Sequence, residues 1–396
     1  MALRALAALV MAPLLSGCDV PDALAWQALR LYLAVNPNLE LGDGPVTIEA
    51  RGERLLLEPV VDDLEFPWDL AFPDAETVLV TEKPGRLSRI ALATGVRTPI
   101  GGVPEVAFVG QGGLLGIELH PAFADNGWLY LSYSVELPGR RYTTRLARAS
   151  LVGDQLEDLE VLLTAEPAYG GTNHFGGALE FDREGHLYLS VGERQQRDEA
   201  QTLGSHLGKI LRLRDDGAAP GDNPFVGTPG ARPEIFSFGH RNPQGLALHP
   251  ESGALWSAEH GPRGGDEVNV VRAGRNYGWP IISHGEEYSG GRVGVGTHRE
   301  GLEQPLHYYV PSIATAGIGF YTGSALASWT GNLFVAGLIG TQLDRLTLDG
   351  ERVVDSEPLF TDLWHRVRAV RESPAQELYV LTENGVLFRI AAAGGR

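Results

Sequence analysis

A single cysteine, Cys18, in 396 residues leaves no intramolecular disulfide to staple the fold. The one candidate membrane segment, the apolar run from Ala5 to Leu15, is too short to span a bilayer. Cations are scarce: 32 Lys and Arg face 50 Asp and Glu, a net charge of −18. Such a surface repels phosphate backbones, which argues against a nucleic-acid partner. Convincing long helical patterns are absent after residue 50. What is present is apolar content of 43%, enough for a sizeable core and against global disorder. The 51 glycines and 25 prolines fit a chain of short strands and many turns.

The N-terminus reads as targeting rather than structure. Arg4 and the apolar run precede Leu15-Ser16-Gly17-Cys18, which resembles the bacterial lipoprotein signal box. On that reading residues 1–17 are a signal peptide and Cys18 becomes the lipidated first mature residue. The alternative is an ordinary secretory signal with an incidental cysteine. Residues 18–50 then form a tether, with helical spacing at Ala25, Leu29, Tyr32 and Leu33. Acyl chains on Cys18 would hold the protein on the extracytoplasmic side of a bacterial envelope, touching the membrane through the lipid alone.

Residues 51–396 read as strand after strand. One unit recurs six times: an apolar strand, a turn, and a second strand of β-branched and aromatic residues. The second strands are Val78–Glu82, Leu129–Ser132, Leu187–Gly192, Leu255–Glu259, Leu333–Gly337 and Leu378–Glu383. Their partners begin near Asp69, Leu115, Gly177, Gly245, Gly317 and Ala369. Uneven spacing favours blades over a solenoid, so the expected fold is all-β, a six-bladed β-propeller. Glu53–Val60 is placed to join the final blade and close the ring, which removes exposed strand edges. An all-β sandwich is the alternative.

The stretch Ile235–Pro280 concentrates chemistry at strand ends. Arg241, Asn242 and Gln244 present a cation and two amides, and Gly261-Pro262 offers carbonyls with little bulk. His174, set among Gly170, Gly171, Gly176 and Gly177, is a candidate general base. His120 and His249, each before a proline, read as turn residues. Gln111 opens a similar glycine-rich strand entrance. Arg366-Val-Arg368 puts two guanidinium groups on one strand face, suited to carboxylates. Each residue alone also fits a plain turn or a solvated face. Asp266 and Glu267 with backbone oxygens make a reasonable calcium site, although the spacing is not that of an EF-hand.

Together Gln111-Gly-Gly-Leu-Leu-Gly116, Asn173-His174, Gly239-His-Arg-Asn-Pro-Gln-Gly245, Glu259-His-Gly-Pro262, Asn276-Tyr-Gly-Trp279 and Arg366-Val-Arg368 resemble the glucose/sorbosone dehydrogenase family, in its order. These are propeller quinoproteins using pyrroloquinoline quinone (PQQ), and the chain looks closest to their soluble aldose sugar dehydrogenase branch. The resemblance implies that His174 takes the proton from a sugar's anomeric hydroxyl. It puts Gln111, Arg241, Asn242, Arg366 and Arg368 around PQQ, and Gln244 near the substrate. Carbonyls of Gly261 and Pro262 would bind the calcium beside the quinone, and Glu267 and Tyr277 would belong to a second calcium site. The implied reaction is oxidation of an aldose, or a related hydroxy compound, to a lactone, with an electron acceptor that the resemblance does not name. Two positions depart from the family: Ile339 stands where a lysine is usual, and Ala178 where an arginine is common.

Two other readings compete. A calcium-dependent propeller lactonase, a hydrolase, requires several carboxylate and amide side chains on one ion. A noncatalytic propeller lipoprotein binding a partner is the other, with Ile339 and Ala178 as its best support.

Overall fold

Alternating apolar strands with both faces covered have to stack sheet against sheet, and a ring of blades does this without leaving an end. The structure is a computed structural model describing residues 44–393 apart from 52, 340, 362 and 364. Cys18, the targeting segment and most of the tether, including its helical stretch, lie outside the described residues.

Six antiparallel sheets form the six blades, five of four strands and one of five. Their inner strands are Pro67–Ala71, Leu114–Leu119, Leu179–Phe181, Pro243–Leu248, Thr315–Phe320 and Val367–Glu372. Each touches the next around the ring, and the last returns to the first. The second strands are Thr77–Glu82, Trp128–Leu137, Leu187–Val191, Leu255–Glu259, Leu333–Gly337 and Leu378–Thr382. Helix among the described residues is confined to one turn at Phe123–Asn126 and two short 3-10 segments.

Closure occurs where the pattern places it. Glu53–Val61 pairs with the last strand, Leu387–Ala392, with Leu57 opposite Ile390. The sheet then takes a fifth strand, Val46–Ala50, from the stretch assigned to the tether. The core is divided, with apolar clusters between successive blades: Leu79 packs with Leu131, Leu146 with Leu189, and Trp256 with Val335. Sixth-blade Val380 packs with Phe334 on one side, and Leu381 with Val80 on the other. Near the axis the inner strands crowd. A Cβ on Gly116 would sit 2.3 Å from Gly177 O, and one on Gly245 would sit 2.4 Å from Ala316 O, so both positions require glycine.

The inner strands also converge charge. Arg371 reaches Asp69 at 3.6 Å, Glu118 at 3.5 Å and Glu180 at 3.1 Å, which belong to the first three blades. Burial pushes all three carboxyls above their ordinary range, and Arg371 opposes that shift.

Candidate active site

An antiparallel hairpin puts the start of its first strand beside the end of its second. Gln111, His174, Arg241, Asn242 and Arg366 lie at or just before inner-strand starts, while Gly261, Pro262 and Ile339 follow second-strand ends. All therefore lie at one mouth of the ring. Contacts between blades tie them together. His174 N donates to Gln111 Oε1 at 2.8 Å, Gly176 N to Asn242 Oδ1 at 3.0 Å, and Arg368 Nη1 to Gln244 Oε1 at 2.7 Å. His120 and His249 instead accept hydrogen bonds from the backbone of their own turns, as their positions before proline suggest.

His174 sits in the left-handed region, with φ +56°, in a segment without strand pairing. Its Nδ1 makes a short hydrogen bond to Glu193 Oε1. A carboxylate only accepts, so Nδ1 carries the hydrogen and Nε2 keeps its lone pair. The imidazole side chain is 12% exposed. Burial, and next the Arg241 guanidinium, hold it down at about 4, while Glu193 works in the opposite direction. The ring is therefore a neutral base at physiological pH.

Around it the charge is positive. Arg241 lies over the Trp279 ring at 5.3 Å. Arg366 Nε donates to Glu383 Oε2 at 2.7 Å, and Arg368 Nη2 lies 3.1 Å from Glu383 Oε1, so the paired arginines share one carboxylate. Burial alone would raise Glu383, yet Arg366, Arg368 and Lys83 bring it down to about 2. The buried donors Arg241 Nε, Arg368 Nε, Trp279 Nε1 and Trp68 Nε1 have no hydrogen-bond partner within the protein. A mouth with cations in excess and donors unspent is built for an anion.

Gln244 is more constrained than its sequence suggests. Its Oε1 accepts from both Arg368 and His260 Nε2, the latter at 3.0 Å. Arginine can only donate, which fixes the amide orientation and obliges His260 Nε2 to carry its proton.

A small cleft beside Arg241 is lined by Glu259, Gly261, Glu267, Tyr277 and Trp279. A Cβ on Gly261 would come within 2.2 Å of Gly265 O and 2.4 Å of Gly264 O, so carbonyls fold closely onto this turn. Pro262 is buried beside it. Burial, and then the Glu259 charge, push Glu267 up to about 8. The Tyr277 hydroxyl is already committed, donating to Val270 O at 2.6 Å and accepting from Arg272 N at 2.8 Å. Only its carbonyl remains to offer a cation. Among the described residues no group of three or more His, Cys, Asp or Glu side chains is arranged to hold a metal.

Glu193, Glu383 and His260 were absent from the residues singled out by sequence. A signal for the glutamates was there: Glu82, Glu259 and Glu383 all close the recurring second strand, and Glu193 follows it by one glycine. In each case the glutamate holds the entrance of its own blade: Glu65 N, His174, Arg241 N and Arg366 respectively for Glu82, Glu193, Glu259 and Glu383.

Comparison with known proteins agrees with this architecture. Residues 64–389 match the family described as Glucose / Sorbosone dehydrogenase. The chain is 40% identical over 342 residues to the aldose sugar dehydrogenase YliI of Escherichia coli, covering 85% of this chain and 92% of that protein. Among solved structures, the soluble aldose sugar dehydrogenase of Escherichia coli in its apo-form superposes with a TM-score of 0.83 at 38% identity, covering 86% of this chain and 100% of that one. The PQQ-bound form of an aldose sugar dehydrogenase from Streptomyces coelicolor gives a TM-score of 0.71 at 28% identity, covering 86% and 98%.

Proposed function

The chain belongs to the glucose/sorbosone dehydrogenase family and is a sugar dehydrogenase, an oxidoreductase, and from that premise we propose that it oxidises aldoses or related hydroxy compounds to lactones with PQQ and calcium. The observation that carries the reading is the neutral His174 imidazole, its Nδ1 held by Glu193, at a mouth rich in arginine.

The residues present fit the cofactor. Arg241, Arg366 and Arg368 offer guanidinium groups to a tricarboxylate, and the unspent donors Arg241 Nε and Arg368 Nε support that assignment. Gln111 adds an amide whose oxygen is already used by His174 N. Asn242, its oxygen spent on Gly176 N, keeps two loops in register and leaves its amide hydrogens to offer. Carbonyls of Gly261 and Pro262 would hold one calcium, and Glu267 with the Tyr277 carbonyl a second. When bound, PQQ supplies a two-electron acceptor and calcium polarises its reacting carbonyl.

The chain's own part is positioning and proton transfer. His174 Nε2 accepts the proton of the anomeric hydroxyl as the C1 hydrogen departs with its electron pair, leaving the lactone carbonyl. Glu193 stabilises the imidazolium that forms. Gln244, fixed by Arg368 and His260, presents its amide hydrogens beside the substrate. Leu15-Ser16-Gly17-Cys18 supports a lipid-anchored, extracytoplasmic location in a bacterial envelope. The test is reconstitution of the purified protein with PQQ and calcium, followed by quinone absorbance and dye reduction with aldoses. Binding and aldose-dependent reduction that both need calcium are expected. Absence of quinone binding at any calcium concentration would overturn the proposal.

A further inference from the structure

We propose that Arg194 is a positioning residue for His174, holding the main chain from which the imidazole hangs; the inference rests on the base role given to His174 above. Arg194 is fully buried, yet among the described residues no carboxylate pairs with its guanidinium, and the adjacent Glu193 is paired with His174. Its two terminal nitrogens are spent on main-chain carbonyls, while Nε has no hydrogen-bond partner within the protein. Nη1 donates to Asn173 O, and Nη2 to Gly171 O and, at 3.4 Å, to Tyr142 O. The guanidinium lies 3.6 Å over the Phe175 ring, and Arg194 N donates to His174 O at 3.3 Å. Residues on both sides of His174 are thus held from one side chain.

This segment needs such a hold. Residues 171–176 belong to no strand, and His174 occupies a left-handed φ that a non-glycine residue keeps only when its surroundings impose it. The neighbouring carboxylate, Glu193, places Oε1 on the His174 ring and leaves Oε2 without a hydrogen bond, so it orients the imidazole rather than pairing with Arg194. Two consecutive residues therefore divide the work: Glu193 orients the ring, and Arg194 sets the backbone beneath it. Burial lowers Arg194 to about 9, a cost that a purely structural position would avoid with an apolar side chain. Lysine, with one nitrogen, cannot reproduce the fork.

The test compares Arg194→Met and Arg194→Lys, each alone and combined with His174→Ala, using folded full-length protein. In cofactor-free protein the far-downfield proton resonance of the His174–Glu193 hydrogen bond should be lost or displaced in Arg194→Met and partly kept in Arg194→Lys. After reconstitution, turnover of Arg194→Met should fall by ~10- to 100-fold while PQQ affinity stays within about threefold, the size expected when a reacting group is misplaced. In the His174→Ala background the same change should cost nothing further, because Arg194 acts through that ring. An unmoved resonance with unchanged turnover, or an equal loss in both backgrounds, would overturn the assignment. So would failure of both variants to fold, which would make Arg194 a stability residue. Full turnover in His174→Ala alone would remove the base role itself, while the resonance would still decide whether Arg194 sets the ring.

Discussion

Arg241 N–H donates to Glu259 Oε2 at 2.7 Å, joining the start of the fourth blade's inner strand to the end of its second. The equivalent glutamates of the first, third and sixth blades hold Glu65 N, His174 and Arg366. Glutamates at or just past second-strand ends thus anchor the facing entrance and take further partners: Glu82 also pairs with Arg86 and Arg97, and Glu259 also holds His240 Nδ1 at 2.9 Å. The repeat sets where the carboxylate stands, and what enters the inner strand sets its task.

Neutral His174 should keep catalysis running in acid. With the ring held at about 4, the acidic limb of kcat should fall near that pH rather than near the ordinary 6.5. Glu193→Gln should cost roughly a hundred- to ten-thousand-fold in kcat, through loss of ring orientation and of imidazolium stabilisation. A pH–rate profile with a limb at 6.5, or a fully active Glu193→Gln, would contradict the assignment.

The same depressed value makes a stability prediction shared with buried His365, which burial also holds at about 4. The unfolded rings take up protons near 6.5, before the folded ones do. Stability should therefore fall as pH drops from about 6.5 to about 4 and lose no more from these rings below that. Urea titrations of wild type and His365→Phe across this window should show a shallower pH slope in the variant.

Arg371 is the cation that pairs with Asp69, Glu118 and Glu180 together. Arg371→Met should destabilise by about 3–5 kcal/mol, since buried carboxylates lose their counter-charge. These carboxyls titrate above their unfolded values, so protonation favours the folded state. The loss should shrink as pH is lowered from about 8, where burial sets Glu118, towards about 5, just above the unfolded carboxyl range. Denaturant unfolding at both pH values checks it, and an equal loss at each would refute the account.

Ile339 follows the fifth blade's second strand at the mouth, partly buried, with its N–H on Ile313 O at 2.8 Å. An ammonium there should reach an anionic cofactor. Ile339→Lys is expected to tighten PQQ binding by about 1–3 kcal/mol and to flatten its calcium dependence. Fluorescence titrations with PQQ at a series of calcium concentrations measure both, and unchanged affinity would rule out a cofactor contact at this position.

Anchoring through Cys18 predicts that Cys18→Ala releases the protein from the membrane fraction. Unchanged fractionation would exclude the lipid anchor.

Strand order, blade number and ring closure were legible in the chain, because a pleated strand alternates with period two and the unit recurs six times. The grouping of Gln111, His174, Arg241 and Arg366 at one mouth follows from the same regularity. The glutamates were written into the repeat as well, but a carboxylate at a strand end has no task until its partner is known. Tertiary structure alone decided that Glu193 faces an imidazole and Glu383 two arginines. It also decided that Gln244 is locked between Arg368 and His260, more than a hundred residues from the former in sequence. It spent the Tyr277 hydroxyl on its own blade and turned Arg194 onto carbonyls. The reason is physical: strand periodicity is local, whereas hydrogen-bond partners and desolvation depend on distances that exist only after the ring closes.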